Sequence, residues 1–183
     1  MGLRIAVVGS GAIGSYYGAK LAYSVSEVHF LMRGDLSEVR EKGLYVRGRR
    51  ENFRVAKVNC YNSTKEIGPC DLVLVAVKAI SNADLVDLVP PLLHERTMLL
   101  TLQNGLGNEE FLAEHFGAER VLGGLCFICS NRVSRTEIER YDYGHIVIGE
   151  YGRKPSERTH AIASQFSACG IKCSVTEDLA LEH

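Results

Sequence analysis

The run Gly9-Ser10-Gly11-Ala12-Ile13-Gly14 stands directly after an apolar stretch, Leu3–Val8, and directly before apolar residues at helical spacing, Ile13, Tyr16, Tyr17 and Leu21. A G-x-G-x-x-G pattern alone is weak evidence. Between a buried-type strand and an amphipathic helix, each glycine gains a task. Gly9 permits a tight turn out of the strand, Gly11 leaves the backbone open to a close-lying diphosphate, and Gly14 lets the helix pack near the sheet. The helix N-terminus adds unpaired N–H groups and a partial positive charge. This is chemistry for holding a dinucleotide.

Three further residues follow apolar runs and fall at expected strand ends. Arg33 closes Val28–Met32, nineteen residues past Gly14. A carboxylate at that point would read the ribose hydroxyls of NAD. A guanidinium instead suits a 2′-phosphate, which it can meet with two parallel hydrogen bonds. Arg33 therefore argues for NADP(H), against the alternative of a solvated surface arginine. Asp35 falls two residues too late to read the ribose and is expected to cap a helix. Lys78 closes Asp71–Val77 and can support the 2′-phosphate or the adenine end. Asn104, in Gln103-Asn104-Gly105, is first a turn signal. At a strand end its amide could also orient a nicotinamide carboxamide or a carbonyl substrate.

The elements that must carry these residues alternate. Strands are expected at Leu3–Val8, Val28–Met32, Asp71–Val77 and Thr97–Leu102, with a hairpin of Leu44–Arg49 and Phe53–Val58. Helices are expected over Ala12–Tyr23, Asp35–Glu41, Ser81–Val89 and Asn108–His115. After Glu119 the pattern becomes strand-rich, with Val121–Ile128, Thr136–Tyr141 and His145–Gly149. A helix over Ser156–Ala168 and a strand at Ile171–Val175 follow. The fold class is α/β, a Rossmann-type doubly wound and mostly parallel sheet. The later strands should extend it or add an antiparallel edge.

Composition narrows the function. The 183 residues balance 21 basic against 22 acidic side chains, so no global charge favours nucleic acid or a membrane surface. No apolar stretch approaches bilayer length, and no signal segment is visible at the N-terminus, so a cytoplasmic protein is expected. Six cysteines are expected as free thiols. Cys126 and Cys129 form a C-x-x-C on a strand, where they should face opposite ways, which disfavours a shared metal. His29, His94, His115, His145 and His160 lack ligand spacing. No metal site is expected, and no Ser/His/Asp set suggests a hydrolase.

Taken together, Gly9–Gly14 with Ala12-Ile13, Arg33, Val77-Lys78 and Asn104-Gly105, in that order, resemble the ketopantoate reductases (2-dehydropantoate 2-reductases). Gly123–Ile128 and Ile148-Gly149-Glu150 are also similar to that family, so the resemblance covers nearly the whole chain. It implies that Gly9, Ser10, Gly11, Ala12, Ile13, Gly14, Arg33 and Lys78 bind NADPH. It further implies that Asn104 contacts both the nicotinamide end and a 2-keto acid, and that Cys129 touches the cofactor through its backbone. The implied reaction is reduction of ketopantoate to pantoate, for pantothenate and coenzyme A synthesis.

The resemblance also implies a general-acid lysine on a helix beyond the last strand. After Val175 only Thr176–His183 remain, so residues 1–180 are expected as one NADP-binding domain, inactive by itself and without its helical partner domain. Leu181-Glu182-His183 reads as the start of a Leu-Glu-polyhistidine tag. Two rivals stay open at this stage: a reductase of another 2-keto acid or an imine, and a non-catalytic NADP(H) sensor. A homodimer also stays open.

Overall fold

The computed structural model describes residues 2–24, 27–49 and 51–181. Its strands are β1 (Arg4–Val8), β2 (Glu27–Leu31), β3 (Leu44–Gly48), β4 (Glu51–Val55), β5 (Asn59–Tyr61), β6 (Leu72–Val75), β7 (Met98–Thr101), β8 (Val121–Arg132), β9 (Glu137–Glu150) and β10 (Cys173–Val175). Its α-helices are α1 (Ala12–Ser24), α2 (Leu36–Lys42), α3 (Thr64–Ile67), α4 (Leu85–Leu88), α5 (Asn108–Phe116) and α6 (Glu157–Ala168).

All ten strands share one sheet, ordered β4-β3-β9-β8-β7-β6-β1-β2-β5, with β10 also paired to β9. From β5 through β2, β1, β6 and β7 to β8 every pairing is parallel. Read in chain order, that is the 3-2-1-4-5-6 arrangement of a dinucleotide-binding sheet. Continuous apolar runs explain these strands. Ile5–Val8, Leu72–Val75 and Leu99–Leu100 are almost wholly buried, as both-face coverage of a parallel sheet requires.

Beyond β8 the sheet turns antiparallel. β9 pairs antiparallel with β8, and its other edge takes β3 along Glu137–Arg140 and β10 along Ile146–Ile148, both parallel. The β3–β4 hairpin leaves the chain between β2 and β5 but docks at the far side of the sheet. That sheet curls over α1, which touches β3, β4, β8 and β9 as well as β1 and β2. The sequence of α1 suits burial on several sides. Gly14, Ser15, Tyr16, Tyr17, Gly18, Ala19 and Leu21 are all buried, with no single apolar stripe. Full burial of Leu21 contributes about 2 kcal/mol.

Several expectations shift. Thr136–Tyr141 and His145–Gly149 are one strand, not two. The intervening Asp142-Tyr143-Gly144 is a β-bulge, with the register to β8 slipping beside it and Tyr143 and Gly144 at positive φ. β8 runs on to Arg132, four residues past the expected end. β5 and α3 were not expected; they are three and four residues long, too short to carry a period. The helix expected over Ser81–Val89 is a 3₁₀ segment, Ala79–Asp84, followed by α4. No residue of that 3₁₀ segment is buried, so no packing face holds it in a full α-helix. Among the described residues no helix is long and apolar enough to cross a membrane. Of the expected tag-like end, Leu181 lies in a 3₁₀ turn and is exposed, while Glu182 and His183 lie outside the described residues.

Candidate functional site

The carboxyl ends of β1, β2, β6 and β7 lie side by side, since Val8 pairs with Leu31 and Val75, and Val75 with Thr101. The sheet order reverses at β1, with β2 on one side and β6 on the other. Ligands of open α/β sheets bind at this switch point.

The glycine loop occupies it. Gly9 has φ +106°, and a Cβ there would collide with the backbone of Ala76 and Val77 at the end of β6. A Cβ at Gly14 would collide with the Gly9 carbonyl, so the loop folds tightly onto the first turn of α1. Gly18 continues this close packing, with its Cβ position 2.5 Å from the Phe30 ring on β2. Gly11 differs: it is exposed, and a Cβ there would meet nothing within 4 Å. Of the three motif glycines, Gly9 and Gly14 are thus demanded by the protein's own packing. Gly11 faces open space at a helix N-terminus, where only an outside group would need its bareness. Such a cradle fits a diphosphate.

Ser10 belongs to the loop, but its hydroxyl is already used, donating to the Leu31 carbonyl at 2.7 Å. The Ser10 carbonyl accepts from Ser15 Oγ (3.0 Å) and from Arg132 Nη1. Ala12 and Ile13 open α1, half-buried, with Ile13 packed on the core.

Arg33 follows β2 with a side chain 75% exposed; Nη2 donates to Asp84 Oδ2 at 3.1 Å. Asp84 belongs to the 3₁₀ segment after Lys78, so Arg33 spans the end of β1. Lys78 is exposed at the start of that segment, and Ser81 N–H donates to its carbonyl at 2.8 Å. Asn104 is exposed just past β7, where Leu102 N–H donates to the Val75 carbonyl at 2.8 Å. Cys129 is exposed on β8 where that strand continues beyond the end of β7, three residues before Arg132 returns to the glycine loop. The sheet therefore gathers the loop, Arg33, Lys78 and Asn104 on one rim, with Cys129 on the strand that passes beside them.

Asp35 departs from expectation. It precedes α2, yet its side chain makes no capping hydrogen bond. The carboxylate instead pairs with Arg132 Nη2 at 2.9 Å and Arg135 Nε at 3.5 Å. The attraction of two guanidinium groups holds it away from the backbone N–H groups of the helix. Cys126 and Cys129 do part company: Cys129 is exposed, whereas burial pushes the Cys126 thiol up to about 12. All six cysteines are free.

Sequence reasoning missed a buried amide chain behind Asn104. Thr101 Oγ1 donates to Gln103 Oε1 (3.0 Å), Gln103 Nε2 to Asn82 Oδ1 (2.7 Å), and Asn82 Nδ2 to Asn108 Oδ1 (3.1 Å). Asn108 Nδ2 donates to the Gly105 carbonyl at 2.8 Å. Gln103 and Asn108 are buried, so this chain fixes the loop that presents Asn104. Isolated amides carry no pattern that would have revealed it. Gly18, four residues after Gly14, was the one legible hint of extra closeness between α1 and β2.

Residues 5–153 match the model of the family described as ketopantoate reductase PanE/ApbA. A 2-dehydropantoate 2-reductase from a Nostoc species is 41% identical over 183 residues, covering 97% of this chain and 57% of that protein. An uncharacterized oxidoreductase of Bacillus subtilis, YkpB, is 33% identical over 177 residues, covering 94% of this chain and 56% of its own length. The crystal structure of a 2-dehydropantoate 2-reductase from Geobacter metallireducens superposes with a TM-score of 0.94 at 46% identity, covering 97% of this chain and 59% of that one. The chain belongs to the PanE/ApbA ketopantoate reductase family. It spans less than two thirds of the length of these relatives.

Proposed function

We propose that this chain is the NADP(H)-binding part, residues 1–180, of a 2-dehydropantoate 2-reductase that reduces ketopantoate to pantoate. The observation that carries the reading is the pairing of an open, exposed Gly11 at the N-terminus of α1 with a cation, Arg33, at the neighbouring strand end. The backbone of Gly9–Gly14 binds the diphosphate, where the helix end favours negative charge. Arg33 takes the 2′-phosphate. No carboxylate occupies its position, so nothing there reads a bare ribose. Lys78 adds positive charge at the same end, and Cys129 contributes backbone only.

When bound, the nicotinamide supplies hydride to the C2 carbonyl of the keto acid. Asn104, held by the amide chain behind it, orients the carboxamide and the substrate. A developing alkoxide also needs a proton donor. We assign that role to a lysine outside these 183 residues, so this chain alone should turn over no ketopantoate. The family relation favours this keto acid over another.

Calorimetric titration of NADPH and NADH into the wild-type chain and Arg33→Ala tests the reading. Loss of a charge-assisted hydrogen-bond pair should weaken NADPH by about tenfold or more, leaving NADH within about twofold. Equal losses remove Arg33 from the 2′-phosphate, and no binding of either cofactor by the wild type overturns the assignment.

A further inference from the structure

Arg132 lies at the end of β8, far in sequence from the cofactor loop, and serves no purpose in the reading above. Its guanidinium nevertheless touches both parts of the candidate cofactor site. Nη1 donates to the Ser10 carbonyl inside the glycine loop, and Nη2 pairs with Asp35 at 2.9 Å, two residues past Arg33. Its side chain is only 17% exposed, and Nε is buried with no hydrogen-bond partner. A cation held at that cost marks a position where positive charge does something that a packed apolar side chain could not.

The local balance of charge shows what. Two carboxylates bear on Arg33: Asp84, which contacts it, and Asp35, two residues on in the chain. Either would oppose a 2′-phosphate, since like charges at close range repel. Asp35 is screened by Arg132 on one oxygen and by the more exposed Arg135 on the other, at 3.5 Å. Glu38, in the first turn of α2, is in turn paired with Lys42 at 3.1 Å and with Arg135 at 3.8 Å. The acid nearest the 2′-phosphate end on the β2 side is thus neutralised by a residue delivered from the far hairpin.

We propose that Arg132 is a specificity-determining residue: by neutralising Asp35 it keeps the crevice beside Arg33 receptive to a 2′-phosphate, while clamping the glycine loop. This rests on the assignment of the crevice to NADP(H). The two parts of its role separate cleanly. The contact with the Ser10 carbonyl shapes the loop and acts on any dinucleotide alike. The contact with Asp35 changes charge only where a 2′-phosphate would lie.

Titration with 2′,5′-ADP and 5′-AMP, which differ by the 2′-phosphate alone, reads the second part directly. Arg132→Gln should lower the preference for 2′,5′-ADP over 5′-AMP about fivefold or more, by exposing an unpaired Asp35. Adding Asp35→Asn to that variant should restore the preference to within about twofold of wild type. An unchanged preference in Arg132→Gln, or no recovery in the double variant, makes Arg132 a loop clamp only and overturns the proposal. Should Arg132→Gln not fold, Asp35→Asn alone decides. Removing that half-buried acid leaves Arg132 uncompensated, so the preference must rise above wild type, and a constant or lower value overturns the proposal. Wild-type chain that binds neither probe would remove the cofactor assignment itself, and the role of Arg132 with it.

Discussion

Arg33 Nη2 lies 3.1 Å from Asp84 Oδ2, so the cation at the end of β2 leans across the end of β1 onto the turn that follows Lys78. The contact is single and exposed on both sides, at 75% and 48% of the side chains. Pairs of this kind contribute about 0–1 kcal/mol. Arg33 is therefore held in place weakly and is free to leave Asp84 for a stronger anion.

Asp84→Asn should consequently cost little stability while removing a competitor for the guanidinium. NADPH affinity should rise about two- to fivefold, with NADH unchanged. Titration of both cofactors checks it. A fall in NADPH affinity would mean that Asp84 positions Arg33 instead of competing for it.

Gly11 and Gly14 should separate binding from folding. Gly11→Ala meets open space and carries no positive φ, so stability should stay within about 0.5 kcal/mol of wild type, while a methyl group blocks the diphosphate. Gly14→Ala drives a Cβ into the Gly9 carbonyl and should cost about 1–3 kcal/mol as well as the cofactor. Thermal unfolding with and without NADPH reads both. A cofactor-dependent rise in Tm for Gly11→Ala would contradict the cradle.

Glu150 should govern acid stability. It is buried at the end of β9 and accepts hydrogen bonds from Arg153, Ser156, Arg158 and Thr159. Burial alone would raise its carboxyl, but the hydrogen bonds from Arg158, Thr159 and Arg153 outweigh it and hold the group at about 2. The folded protein therefore binds this proton less tightly than the unfolded chain. The resulting stability, about 2–3 kcal/mol, is complete above about pH 5 and is lost as pH falls toward about 2. Glu150→Gln should lower Tm at pH 7 and flatten the decline of Tm between pH 6 and 3. An unflattened decline would place the acid sensitivity elsewhere.

The parallel half of the sheet was legible because strands buried on both faces must be apolar without interruption, and Ile5–Val8 and Leu72–Val77 are. The glycine loop was legible because backbone geometry, not side-chain chemistry, dictates its residues. Other features depend on partners distant in sequence. Nothing near Asp35 reveals that Arg132 will reach it, so a capping role was the natural local reading. Nothing near Leu44–Gly48 reveals that its partner will be Glu137–Arg140. The amide chain joins Asn82, on the 3₁₀ segment after β6, to Gln103 and Asn108, on the stretch from β7 into α5, two parts of the chain that only the sheet brings together.

The docking of β3 on β9 has a consequence for how the molecule comes into being. Tyr45 waits for Glu137, and until the last long hairpin exists the first helix keeps one flank in water. The segment of β1, the glycine loop and α1 precedes β9 in the chain and is thus completed late. Amino-terminal pieces that stop short of β9 would carry every glycine of the cradle and still lack the wall that holds its helix still.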